Sequence, residues 1–76
     1  MVWVSKIMEK IKLRDEFIKL GQALKLAGLC DSGVDAKFVI QEGQVKVNGE
    51  VEVRRGKKLY DGDIVEYQGK TIQITA

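Results

Sequence analysis

Residues 36–49, AKFVIQEGQVKVNG, decide how this chain folds. Ala36, Val39, Ile40 and Gly43 fall at i, i+3, i+4 and i+7, the spacing of one helix face. At ~100° per residue, Lys37 and Gln41 lie on one flank of that helix, with Asp35 and Glu42 on the other. Gly43 is placed as a C-terminal stop, because it reaches positive φ without steric cost. Val45 and Val47 then alternate with Gln44 and Lys46, the pattern of a half-buried strand. Asn48-Gly49 is the strongest hairpin signal in the chain. A two-residue turn would set Val47 opposite Glu50 and Val45 opposite Glu52, mixing valines with glutamates on one face. The expectation is therefore an odd-length loop that places Val45, Val47, Val51 and Val53 together.

Working backwards, Leu20, Ala23, Leu24 and Ala27 share a helical face that Gly28 ends. Ser32 with Asp35 three residues on is a variant capping box, predicting a second helix start and an αα corner between two short helices. Ile11 and Leu13 alternate with Lys10, Lys12 and Arg14, so a first strand is expected over 10–14. Residues 1–7 read either as a loosely held extension or, through Trp3, as a cap on an open edge of the core. The boundaries that follow are an N-terminal extension over 1–9 and a single domain over 10–76. Working forwards, Arg54–Lys58 is a glycine-centred loop, Tyr60–Asp63 a turn, Ile64–Tyr67 a strand and Thr71–Ile74 the last strand. The fold class is α+β: an αα corner on a small, mainly antiparallel sheet of four to five strands.

Seventy-six residues make one domain with a thin core. Apolar residues at 45% and charged ones at 32% describe a globular chain rather than a disordered one. No run of about 18 apolar residues exists to span a membrane, and the start MVWVSKIMEK makes a poor signal peptide. Cys30 is the single cysteine, so no internal disulfide forms, and a reducing cytoplasmic setting is expected. Net charge is only +2, yet residues 54–58, RRGKK, carry four cations in five positions. Residues 31–53 carry five acids against two lysines, so the positive charge is concentrated. That pattern fits a localised anionic partner.

The run Leu20…Leu24…Gly28…Ser32…Ala36-Lys37…Ile40…Gly43-Gln44-Val45-Lys46-Val47-Asn48-Gly49…Gly62-Asp63-Ile64-Val65 resembles the RNA-binding domain of ribosomal protein S-four, the αL motif. The likeness covers roughly residues 19–67, and its most specific part is G-x-V-x-V-N-G joined to the later G-D-x-apolar. It looks like the small stand-alone bacterial members. The resemblance implies a module that docks structured RNA, ribosomal or transfer RNA or a ribosomal particle among them. Carried over by position, it implies RNA contacts from Lys25, Lys37, Gln41, Gln44, Lys46, Arg54, Arg55, Lys57 and Lys58. Many members carry arginine directly after the serine that starts the second helix, where this chain has Gly33; the RRGKK loop is placed to supply that phosphate contact instead.

Phe38 points away from Ala36, Val39 and Ile40. It either stacks on an unpaired base, as single-stranded RNA is often held, or packs against residues 1–17. Asp61 and Asp63 around Gly62 are turn residues rather than a metal pair. Cys30, beside Leu29, reads as a small core residue rather than a nucleophile. With no histidine, the commonest general base is missing, and the glycines form no phosphate loop. The expectation is a binder without cofactor, metal or small-molecule substrate. It would use a basic face made by the second helix, the first hairpin and the RRGKK loop. The rival readings are a protein-interaction adaptor, an accessory that recruits a partner to a ribonucleoprotein, and a binder of DNA.

Overall fold

The computed structural model describes residues 8–76. In chain order these form β1 (Met8–Lys12), β2 (Ile18–Lys19), α1 (Leu20–Leu26), α2 (Gly33–Gln41), β3 (Val45–Val47), β4 (Glu50–Val51), β5 (Lys58–Leu59), β6 (Ile64–Tyr67) and β7 (Lys70–Thr75). Five strands make one sheet in the order β1-β7-β6-β3-β4, while β2 and β5 pair separately. Only β1–β7 is parallel; the remaining pairs are antiparallel. The α+β class with an αα corner on a mainly antiparallel sheet is the observed architecture.

One face of the sheet holds the core. Val45 and Val47 of β3, Val65 and Tyr67 of β6, Ile72 and Ile74 of β7 and Ile11 of β1 are all buried. They form one cluster with Leu20, Ala23 and Leu24 of α1 and Ala36 and Ile40 of α2. The helices thus cover one face, as the period-2 and period-3.6 patterns require. The first strand runs over 8–12 rather than 10–14. Its parallel register pairs Ile11 with Ile74, so the core position is set by Ile11, and the charged bend Arg14-Asp15-Glu16 then leaves the sheet. Of the proposed extension, residues 1–7 and Trp3 lie outside the described residues.

The Asn48-Gly49 turn corrects the expected odd loop. Both residues have positive φ, 52° and 86°, as a two-residue type I′ turn requires. Val47 pairs with Glu50 and Lys46 with Val51, so Val51 and Val53 remain 54% and 52% exposed. The cause lies outside the hairpin. The Asn48 backbone N–H donates to the Ile64 carbonyl at 2.7 Å. Its side-chain Oδ1 accepts from the Ile64 N–H at 2.9 Å, and Nδ2 donates to Asp63 Oδ1 at 3.1 Å. A bulged loop would break this clamp, whereas a valine–glutamate mismatch on an edge strand merely leaves apolar surface wet.

The helix ends follow the local rules. Ser32 is the N-cap of α2, its Oγ accepting from the Asp35 N–H at 3.2 Å. Gly43, at φ +78°, closes the other end, with the Gln44 N–H returning to the Val39 carbonyl at 3.1 Å. By contrast, Lys19 at the N-cap of α1 offers no side-chain bond.

Asn48→Ala forces a Cβ-bearing residue without a stabilising side chain into the left-handed region and removes two hydrogen bonds. It should destabilise the domain by about 2–3 kcal/mol. In urea unfolding the midpoint falls while the slope stays constant.

Candidate nucleic-acid interface

The first two N–H groups of α1 are satisfied from far along the chain. Leu20 donates to the Lys57 carbonyl at 2.9 Å and Gly21 to the Arg55 carbonyl at 3.0 Å. Main-chain atoms of the RRGKK loop therefore cap a helix that lacks a side-chain cap. The antiparallel pairing of Ile18 with Leu59 and Lys19 with Lys58 continues the strap. With its backbone facing α1, the loop turns its side chains outward: Arg54, Arg55 and Lys58 are exposed and Lys57 is half-buried.

This strap builds a cleft of about 320 Å³ lined by Lys19, Gly21, Gln22, Lys25, Gly33, Arg55 and Gly56. Three cations from three separate segments meet there. Lys37 stands one turn beyond Gly33 on the same flank of α2, at ~100° per residue, and Gln41 one turn further. Both are exposed and extend the polar strip. A Cβ built on Gly33 meets nothing within 4 Å, so the position is open toward the cleft. Because the loop carbonyls occupy the leading donors of α1, those N–H groups are not free to meet a ligand.

The other sequence candidates are placed differently. Arg54 is tied to Glu52, Nε at 3.0 Å from Oε2, with the Arg54 N–H at 3.0 Å from the same oxygen. The hydrogen bond from the Arg54 side chain holds the Glu52 carboxyl below its usual range, and Glu52 in turn raises the guanidinium. Lys58 places Nζ 4.8 Å above the Phe17 ring. Lys46 lies on the sheet face away from the helices, directly across from Glu66. It shares a groove of about 170 Å³ with Gln44, Glu66, Tyr67, Gln68 and Gly69, so Gln44 and Lys46 do not join the cleft. Phe38 is 60% exposed, with Val34 one turn before it at 76%.

Lys19 and Gln22 complete the cleft and escaped the sequence reading. Their place depends on a two-residue strand pairing too short to leave a periodic pattern. Asp61 and Asp63 serve their turn: Asp63 Oδ2 accepts from the Tyr60 N–H at 2.8 Å and Asp61 Oδ1 from the Ala76 N–H at 3.0 Å. Among the described residues no group of three His, Cys, Asp or Glu could hold a metal, and no helix is long and apolar enough to cross a membrane.

An αα corner on one face of a mixed sheet, with a basic loop strapped across the first helix, defines an αL-type module. The chain belongs to the S4 domain family, whose model matches residues 11–75. It is 51% identical over 59 residues to the probable ribosome maturation protein RlbA of Bacillus subtilis, covering 78% of this chain and 83% of that one. It is 44% identical over 59 residues to YbcJ of Escherichia coli, covering 78% and 84%. The solution structure of YbcJ, described as revealing an αL motif involved in RNA-binding, superposes with a TM-score of 0.73. That match is 38% identical and covers 100% of this chain and 98% of the other.

Cys30 is buried within this corner. Burial pushes its thiol above the ordinary value, and Asp35 and Asp31 add to the shift, so the neutral thiol predominates at pH 7. Disulfide-exchange labelling should be slow in the native protein and rapid in urea. Because the folded pKa is raised, the associated stability is complete below the unfolded value and is lost as pH climbs through the folded one.

Proposed function

We propose that this chain is a non-catalytic, cytoplasmic RNA-binding module that docks structured RNA on its helix-layer cleft. The cations that serve this reading are Lys19, Lys25, Lys37 and Arg55, while Lys57 and Lys58 line a neighbouring depression. The observation that carries the reading is the backbone strap on α1, which brings Arg55 into one cleft with Lys25 and Gly33. Arg55 lines the same cleft as Gly33, the position after the capping serine, so its charge can serve there in place of an arginine at 33. A second observation agrees with it. Lys19 and Lys58 are direct cross-strand partners, and like charges facing each other are destabilising. An anion bound beside them would offset that cost.

Binding of this kind is chiefly to phosphate and backbone shape, because few amide groups accompany the cations. The named relative in Bacillus subtilis favours ribosomal RNA or a ribosomal particle as the partner. On this reading Lys46 and Gln44 are peripheral, since they face the opposite side of the sheet, and Arg54 contributes less than its charge suggests because Glu52 holds it.

Neutralising about four to six phosphates of single-stranded character gives a slope of log K against log salt of roughly −3 to −4. Fluorescence anisotropy over a salt series measures it, and a slope near zero for every RNA tried would remove the electrostatic claim. The triple variant Lys25→Gln, Lys37→Gln, Arg55→Gln should flatten the slope by about 2, whereas Lys46→Gln should leave it unchanged. Gly33→Arg, for which there is room, should tighten binding and steepen the slope by roughly 0.7.

A further inference from the structure

The far side of the RRGKK loop carries an aromatic pair that the cleft does not use. Phe17 and Tyr60 stand with ring centroids 6.1 Å apart and planes inclined at 54°. Such a tilted pairing leaves a face of the Tyr60 ring uncovered, and Tyr60 is 48% exposed. The backbone that carries it is tied down. Lys58 covers Phe17 at 4.8 Å, and Tyr60 is pinned to Asp63 by two bonds. Its N–H donates to the Asp63 carboxylate at 2.8 Å, and its carbonyl accepts from the Asp63 N–H at 3.0 Å. Beside the ring opens a depression of about 500 Å³ lined by Arg54, Gly56, Lys57, Lys58 and Tyr60. An aromatic floor with Lys57 and Lys58 beside it, and Arg54 held by Glu52 at its edge, is suited to a flat ring that carries a phosphate. The Asp63 oxygens are turned to the Tyr60 N–H and Asn48 Nδ2 donors of the turn.

The geometry points to a nucleotide subsite: an unpaired base stacks on Tyr60 while Lys57 and Lys58 hold its flanking phosphates. This deepens the RNA-binding reading and rests on it. The cleft at Lys25 and Arg55 grips the backbone, and the Tyr60 platform in the adjoining depression, which shares Gly56 with that cleft, selects RNA with an extruded nucleotide next to the gripped segment. Stacking of this kind is sequence-tolerant, because every base presents a π-face.

The test compares a fully paired RNA hairpin with the same hairpin carrying one bulged 2-aminopurine. The wild-type chain should prefer the bulged RNA by roughly 5- to 150-fold and quench its fluorescence. Tyr60→Ala should abolish both effects while keeping its affinity and salt slope for the paired hairpin, and Tyr60→Phe should retain both. Should the alanine variant lose its fold, Tyr60→Leu, which keeps bulk without a π-face, carries the comparison. Equal binding of the two RNAs by the wild type overturns the subsite and leaves the phosphate grip standing. Quenching that survives Tyr60→Ala but is lost in Phe38→Ala also overturns it, by moving the stacking surface to α2. Failure of the wild type to bind either RNA overturns the RNA reading itself.

Discussion

Two hydrogen bonds, from the N–H groups of Leu20 and Gly21 to the carbonyls of Lys57 and Arg55, hold the RRGKK loop against α1. A helix of seven residues without a side-chain cap is marginal by itself. Its exposed donors need partners, and among the described residues the main chain brought to them is a loop that arrives more than thirty residues later. Satisfying those donors fixes where Arg55 and Lys57 stand relative to α1. The cap of α1 and one wall of the basic cleft are therefore made by the same loop. The loop's charged side chains are turned toward solvent because its carbonyls must face the helix.

Charge in this small protein is divided by the same logic. Carboxylates near the loop are consumed by structure: Glu52 orders Arg54, Asp63 clamps Tyr60 and Asn48, and Asp61 receives the Ala76 N–H. Among the described residues the only salt bridge is the Arg54–Glu52 pair. Acids that accept internal hydrogen bonds offer few lone pairs to neighbouring lysines. A net charge of only +2 is thereby compatible with a locally cationic face.

Much of the fold was legible because its elements announce themselves locally. Ser32 caps α2, Gly28 and Gly43 end the helices, and the change from 3.6 to 2 periodicity after Gly43 marks the turn from helix to sheet. The hairpin register was not legible. Alternation of valines argued for an odd loop, but the deciding bonds run from Asn48 to Asp63 and Ile64, fifteen and sixteen residues away. Long-range hydrogen bonding outweighed a local hydrophobic preference on an exposed edge. For the surface, charge and family likeness single out Lys25, Lys37 and Arg55, but that Lys25 and Arg55 line one cleft follows from the strap. Lys46 carried the same charge in the same stretch, yet strand alternation sends it to the other side. Alternation was visible in the sequence; which side the helices would cover was not.

The same strap explains why a domain this small can present two surfaces of different chemistry. A loop anchored at its backbone has two flanks. On one, Arg55 leans over Gly21, close enough that a Cβ there would lie 3.6 Å from Arg55 Cβ, and contributes to the cleft with Lys25. On the other, Lys57 and Lys58 run toward Tyr60 and Phe17. Gly56 sits between them and lines both concavities. A change that altered the loop's length would move both flanks together and uncap α1 at the same stroke. Substitutions of its side chains act on one flank at a time, so the charge on each can vary without disturbing the fold.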